Sequence, residues 1–253
     1  MKKQFHAALT ALLLLPCFRP LAMARGAGDA NSTGAAQIAE IAIPSAMVLY
    51  GLVSLRSGDL RKFDFQARGE IIEDAQLVHT NAEDYLQFAP AAAAYALKFT
   101  GLKSRNSLLD MTLMYGLANA LQAAIVTGAK DITNRERPDG SNHKSFPSGH
   151  TATAFVAAEF LHQEYGYKNT WIDIGGYGVA ALVGAARVYK NRHWVSDVVA
   201  GAGTGILCAK GVYWLYPRLA KKWAGSQGRA KVQIVPLLEY TGPGATLALA
   251  CQF

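Results

Sequence analysis

Apolar residues along this chain fall into long stretches separated by short polar clusters, and the stretches follow helical rather than alternating periodicity. The pattern predicts helices over Ile38–Leu55, Tyr85–Phe99, Leu108–Ala129, His150–Leu161, Trp171–Tyr189 and Ser196–Tyr216. Their interiors are rich in Gly and Ala, as in Ala91–Ala94 and Gly201–Gly205, so the helices can approach one another closely. Few segments alternate with period two before residue 230. The expected fold is therefore all-α, a bundle of about six helices over residues 38–225. After Gly225 the texture changes: Val232–Leu238 and Ala245–Phe253 read as extended, with Pro236, Gly242, Pro243 and Gly244 as turn residues. A short hairpin is expected in the C-terminal extension 226–253. Two strands cannot close a barrel, so the apolar tail ending in Phe253 does not make this an outer-membrane protein.

The first residues have the form of an export signal. Lys2 and Lys3 precede an apolar run from Ala7 to Phe18, broken by Thr10 and Pro16, and Ala22-Met23-Ala24 offers a small-x-small cleavage site. Residues 1–24 read as a signal peptide and 25–37, rich in Gly, Ala, Asn and Ser, as a flexible leader. Cleavage would leave Cys208 and Cys251, which make neither a disulfide framework nor a zinc-type spacing.

Composition adds a membrane question. The chain is 51% hydrophobic and 17% charged with a formal charge of +7, which excludes disorder and suits anionic partners. Met111–Ala129 is the uncharged run of spanning length; other stretches carry Glu40, Glu159, Asp173 or Lys210. Mean hydropathy is only +0.11. Basic residues gather in the loop with Lys98, Lys103 and Arg105 and in the tail with Arg218, Lys221, Lys222, Arg229 and Lys231. If both are cytoplasmic, the polar clusters lie on the outer side. A cleaved leader followed by three spanning helices would place them inside. The two readings conflict unless the leader is retained, Ile38–Leu55 does not span, or the bundle is soluble.

Three polar clusters carry the chemistry, each at a helix end. They are Lys130 through Arg137-Pro138, then Phe146-Pro147-Ser148-Gly149-His150-Thr151, then Arg187 through His193 to Asp197. Lys130, Arg137 and Arg187 supply three cations, two of them guanidinium forks suited to phosphate oxygens. Pro147-Ser148-Gly149 opens a helix, so its N–H groups and the Ser148 hydroxyl can receive an anion, and Gly149 lets a ligand approach the backbone. His193 and Asp197 are four apart, which places them on one helix face. The carboxylate can hold one ring nitrogen and leave the other free to attack. His150 remains as proton donor to a leaving alkoxide. No carboxylate cluster has magnesium or calcium spacing, so Lys and Arg must meet the transition-state charge. Each cluster alone is bland: a helix-end cation, a turn with an N-cap, a surface i, i+4 pair. Only the combination points to phosphate transfer.

Lys130-x6-Arg137-Pro138, Pro147-Ser148-Gly149-His150 and Arg187-x5-His193-x3-Asp197 together resemble the three-part signature of the type 2 phosphatidic acid phosphatase superfamily. That superfamily comprises bacterial lipid phosphatases, soluble class A acid phosphatases and vanadium haloperoxidases. The resemblance implies His193 as nucleophile, Asp197 as its partner and His150 as the acid, with Lys130, Arg137, Ser148, Gly149 and Arg187 on the phosphoryl oxygens. It implies a metal-independent phosphomonoesterase of the bacterial envelope without cofactor, passing through a phosphohistidine. The enzyme would sit in the inner membrane with a periplasm-facing site, or in the periplasm. The expected partners are a phosphorylated lipid (phosphatidate, phosphatidylglycerophosphate, undecaprenyl pyrophosphate or lipid A) and the membrane, and not nucleic acid. The alternatives are a soluble periplasmic acid phosphatase and, less favoured, a vanadium-dependent haloperoxidase. Ala186 stands where the family's third motif commonly has Ser. His143, Lys144, Asn134, Arg135, Asn191 and Arg192 are expected to shape the rim or face water, and Trp194 and Trp214 to pack.

Overall fold

The structure is a computed structural model that describes residues 30–72, 80–226, 233–241 and 244–252. The helices are α1 (Ala30–Ser54), α2 (Gly58–Ile72), α3 (Glu83–Leu86), α4 (Ala89–Phe99), α5 (Leu108–Thr133), α6 (Gly149–Leu161), α7 (Thr170–Tyr189) and α8 (Val195–Ser226). A π-helical turn, His162–Gly166, extends α6. The count is eight rather than about six, for two physical reasons. α2 carries five charged residues in its first eleven, so its apolar pattern is faint, yet Asp64 and Ala67 are buried. The expected helix Tyr85–Phe99 is split, because Pro90 near the start of α4 cannot continue a preceding helix. α1 begins at Ala30, inside the stretch expected to be a flexible leader. The expected signal peptide, residues 1–24, lies outside the described residues.

Local chemistry sets several helix ends. Ser107 caps α5 by accepting from Asp110 N at 3.1 Å while its hydroxyl donates to the Asp110 carboxylate at 2.6 Å. At the other end Asn134 adopts φ 45°, the left-handed conformation Asn tolerates at a C-cap. α5 thus reaches Thr133, and Lys130 stands in its last turn rather than after it. Asn169 caps α7 by accepting from Trp171 N at 3.0 Å.

The chain divides between Tyr213 and Trp214 into two compact units. In the first, α6 is the central helix, with ten of its thirteen residues buried, and α4, α5 and α7 pack around it. Two glycines one turn apart on α8 permit a close approach to α6. A Cβ on Gly201 would sit 2.5 Å from the Ser148 carbonyl, and one on Gly205 would overlap the Ala152 carbonyl. Buried charges pair inside the unit. Lys210 lies 2.8 Å from Glu159, which is fully buried, and 3.4 Å from Glu40. The second unit contains the end of α8, where the Arg218 guanidinium stacks 4.1 Å from the Trp214 ring centroid. It also contains the expected hairpin, β1 (Gln233–Thr241) paired antiparallel with β2 (Gly244–Gln252), Leu237 opposite Ala248.

Two helical stretches are long and apolar enough to cross a bilayer, Leu108–Thr133 and Val195–Lys222. A third, Ile38–Ser54 with Gly58–Gly69, qualifies only as a pair bent by 94°. Val195–Lys222 passes despite Lys210, which the sequence pattern counted against it and which is paired with Glu159. α5 exposes Leu109, Leu113, Leu117, Leu121 and Ile125, a ridge at four-residue spacing along one face.

Candidate active site

The loop from Asn134 to Ser148 folds back on itself. Ser145 N donates to Arg135 O at 3.0 Å and Arg137 N to Asn142 O at 2.9 Å, around a turn closed by Gly140 N on Arg137 O at 3.0 Å. Gly140 has φ +71°, a conformation other residues adopt only with strain. These main-chain bonds fix Arg135 and Arg137 relative to Ser145, and through it relative to α6.

The loop meets the start of α8 at Asp197, which is fully buried. One carboxylate oxygen accepts from Arg135 Nη1 at 2.6 Å; the other accepts from Ser145 Oγ at 2.5 Å and from Trp194 N at 3.0 Å. The Trp194 contact is the return bond of a capping box, from the third residue of the helix to its N-cap. His193 stands in the turn before α8, so the pair does not share a helix face as the spacing suggested. The first turn of α8 brings His193 Nδ1 to 3.6 Å from Asp197 Oδ2. That is ion-pair range but longer than a hydrogen bond, and Nδ1 has no hydrogen-bond partner among the described residues. The oxygen it faces is already occupied by Ser145 and Trp194.

Ser148 N donates to Asp197 O at 3.0 Å, so this N–H is not free for an anion, contrary to the expectation for the whole Pro147-Ser148-Gly149 segment. The next donors, in the first turn of α6, have no intrahelical partner by helix geometry. The Ser148 hydroxyl accepts from Thr151 Oγ1 at 2.9 Å. Gly149 faces the Lys130 ammonium, which is 3.6 Å from where its Cβ would be. Arg187 ends α7, and its carbonyl accepts from Arg192 N at 3.1 Å and His193 N at 3.3 Å. Cation and histidine are thereby held by one turn, with Asn191 at φ 57° reversing the chain. The buried Nε atoms of both Arg137 and Arg187 lack partners among the described residues.

Charge governs the two histidines. Burial pushes His193 below its ordinary value and the Arg187 and Arg137 charges add to this, outweighing the opposing Asp197. At neutral pH the ring is therefore neutral, so one of its nitrogens carries a lone pair. His150 is also held low, by burial and by Arg187, while Asp84 and Glu83 oppose. An anion seated among the cations would raise it, favouring the protonated form when substrate is bound.

Several contributors were not singled out from the sequence. Asp64 of α2 accepts from Arg135 Nη2 at 2.7 Å, from Ser196 Oγ at 2.5 Å and from Ser196 N at 3.1 Å. Arg135, expected at the rim or facing water, is instead mostly buried and bridges Asp64 and Asp197. Its position inside the first motif was the available signal. The short α3 supplies Glu83, 3.2 Å from Arg187 and 2.5 Å from Lys190, and Asp84, 2.8 Å from His150 Nε2. Nothing in the spacing marks that pair, which sits about a hundred residues from the cations it meets. Among the other rim candidates, Lys144 pairs with Asp131 at 3.4 Å on the surface, Arg192 with Asp139 at 3.1 Å, and His143 is exposed. Trp194 packs edge-on against Phe65 and donates from Nε1 to Glu136 O at 2.9 Å.

Comparison with known proteins gives a consistent answer. Residues 111–221 match the family model described as the PAP2 superfamily. The chain is 41% identical over 138 residues to the lipid A 1-phosphatase of Porphyromonas gingivalis, covering 54% of this chain and 31% of that protein. It is 38% identical over 134 residues to a lipid A 1-phosphatase of Helicobacter pylori, covering 50% and 66%. With the Helicobacter pylori lipid A 4'-phosphatase it shares 27% identity over 176 residues, covering 64% and 87%. The chain thus spans about a third of the length of the first of these relatives. The matched segment runs from α5 through α8 and holds all three motifs, and on that ground this chain belongs to the PAP2 superfamily.

Proposed function

We propose that this chain is a lipid phosphate phosphatase that works without a metal through a phosphohistidine on His193. The observation that carries the reading is the buried His193–Asp197 pair, set between Arg187 and Arg137 at the open N-terminus of α6. Lys130, Arg137, Arg187 and the first N–H groups of α6 hold the phosphoryl oxygens of the substrate. The His193 nitrogen remote from Asp197 attacks phosphorus while the ester P–O bond breaks. His150 donates its proton to the departing alkoxide. Water then attacks the phosphohistidine, His150 takes the water proton, and inorganic phosphate leaves. Asp197 stabilises the positive charge that develops on the His193 ring. Fixed Lys and Arg charges meet the charge on the phosphoryl oxygens.

A lipid substrate is supported by an apolar cleft of about 520 Å³ between α4 and α7, lined by residues including Ala89, Ala93, Leu97, Ile172 and Val179. It begins three residues after α3, which touches His150 and Arg187. The leucine ridge of α5 suits contact with acyl chains. Names among the relatives favour lipid A as substrate class, with phosphatidate, phosphatidylglycerophosphate and undecaprenyl pyrophosphate as the other candidates.

For orientation, Lys98, Lys103 and Arg105 lie before the start of α5, and Arg218, Lys221 and Lys222 lie in the last turns of α8. Placing both groups in the cytoplasm sends α5 outward and brings α8 back, so both helices put the site on the periplasmic side. The test is a panel of these lipids and a small soluble phosphate ester, assayed with purified protein and with His193→Ala. Turnover of a lipid, lost in the variant, is expected. Marked preference for the soluble ester would defeat the lipid assignment. Chelator-reversible loss of activity would defeat the metal-free one.

A further inference from the structure

Beside the site, on the other side of Arg137, lies a polar cavity of about 360 Å³ between α2 and the loop after α5. Arg61, Arg68, Arg135 and Arg137 line it, with Asp64 and Trp194 among its other walls. The carboxylates facing it are largely spent elsewhere. Asp64 is bound by Arg135 and Ser196, and Asp139 by Arg192 at 3.1 Å. Glu136 remains, against three guanidiniums.

Those three are incompletely partnered. Arg61 makes no ion pair among the described residues and is exposed. Among the described residues Arg68 donates only to the neutral amide of Asn191, at 3.2 Å, and lies 6.0 Å from the Trp194 ring centroid. Arg137 has a buried Nε with no partner among the described residues. A concave wall of unspent guanidinium donors is the chemistry that recognises an oxyanion bidentately. Arg137 belongs to both this cavity and the phosphoryl site, so an anion here would be part of the same bound molecule or a close neighbour of it.

We infer that this cavity is a second anion subsite, which receives a second phosphate carried on the headgroup of the substrate while the first is hydrolysed at His193. The inference rests on the phosphatase reading and deepens it: the preferred substrate bears two phosphates. It follows that specificity is set by Arg61 and Arg68 on α2, well apart in sequence from the three motifs.

The test compares lipid A carrying phosphates at both the 1 and 4' positions with the same acylated lipid carrying one, in mixed micelles. Arg61→Ala/Arg68→Ala is expected to raise KM for the bisphosphorylated lipid about tenfold and to leave that for the monophosphorylated lipid within about twofold. Because Arg68 also packs on Trp194, Arg61→Glu serves as a second variant at an exposed position and should shift KM in the same selective way. Equal effects on both lipids, or none, overturn the subsite. Binding of the two lipids to His193→Ala, with and without the arginine substitutions, separates this from the catalytic reading. Selective loss of binding there supports the subsite even if neither lipid is hydrolysed. If the substitutions weaken binding of inorganic phosphate alone and leave lipid discrimination intact, the cavity holds free phosphate and the headgroup assignment fails.

Discussion

Removing the guanidinium of Arg135 should damage both stability and turnover, although the proposed phosphoryl transfer gives this side chain no contact with the reacting phosphate. It contacts two carboxylates at 2.6 and 2.7 Å, Asp197 and Asp64, that are 0% and 1% exposed, and is itself 12% exposed. Truncation to Ala leaves two buried anions without their shared countercharge. Breaking a buried pair in this way costs about 3–5 kcal/mol. Each carboxylate keeps other donors: Asp64 keeps Ser196, and Asp197 keeps Ser145 and Trp194 N. The lower end, about 3 kcal/mol, is therefore expected, which for a chain of this size lowers Tm by roughly 6–12 °C. Thermal unfolding in detergent, followed by near-UV circular dichroism, reads the shift, and initial rates below the transition read catalysis. Arg135→Lys keeps the charge but cannot fork across both carboxylates, so it should recover only part of each loss. Combined with Asp64→Asn, the double-mutant cycle should give a coupling of about 1–2 kcal/mol. A Tm within about 2 °C of the parent for Arg135→Ala, with kcat/KM unchanged, would refute the account of Asp197 as a residue held by the loop.

Further outcomes follow from the same geometry. Asp84→Asn removes the carboxylate that raises His150, so the His150 value falls further and the arm of the pH–rate profile that declines with rising pH moves to lower pH; an unmoved arm removes Asp84 from the account. Lys210→Met strands the fully buried Glu159 and should destabilise by about 3 kcal/mol or more, read as a Tm loss that Glu159→Gln in the same chain partly restores. Gly201→Ala drives a methyl into the Ser148 carbonyl and should cost about 1–3 kcal/mol while lowering kcat, because it displaces the backbone that joins Ser148 to Asp197. His193→Ala should abolish turnover with Tm nearly intact, as seen in parallel rate and melting measurements.

Much of the candidate site was legible because its residues are polar interruptions in an apolar chain. Lys130, Ser148, Gly149, His150, Arg187, His193 and Asp197 sit at or next to helix ends, and Arg137 in the loop between two of them, where spacing is short and chemistry is concentrated. What was not legible was whatever depended on distant pairing. Asp64, Glu83 and Asp84 carry no local signal in the sequence, and only the fold sets α2 and α3 against the cations. Arg135 read as a rim residue because nothing local shows that two buried carboxylates await it. α2 itself was missed for a related reason: its buried face includes a charge, so hydrophobic periodicity understates it. Conversely, Glu40, Glu159 and Lys210 argued against membrane-length helices when each was taken alone, and the argument weakens once they neutralise one another across α1, α6 and α8.

The contact of Gly201 and Gly205 with the backbone of α6 has a mechanical consequence. Two helices that touch main chain to main chain have no side-chain cushion, so α8 can neither roll nor slide on α6 without collision. His193, the proposed nucleophile at the head of one, and the proposed anion-receiving end of the other therefore form a single stiff jaw. Whatever give is needed to admit ligands of different bulk falls to the α3 segment, which meets Arg187, Lys190 and His150 through side chains, so the starts of α6 and α8 stay aligned while this rim does the accommodating.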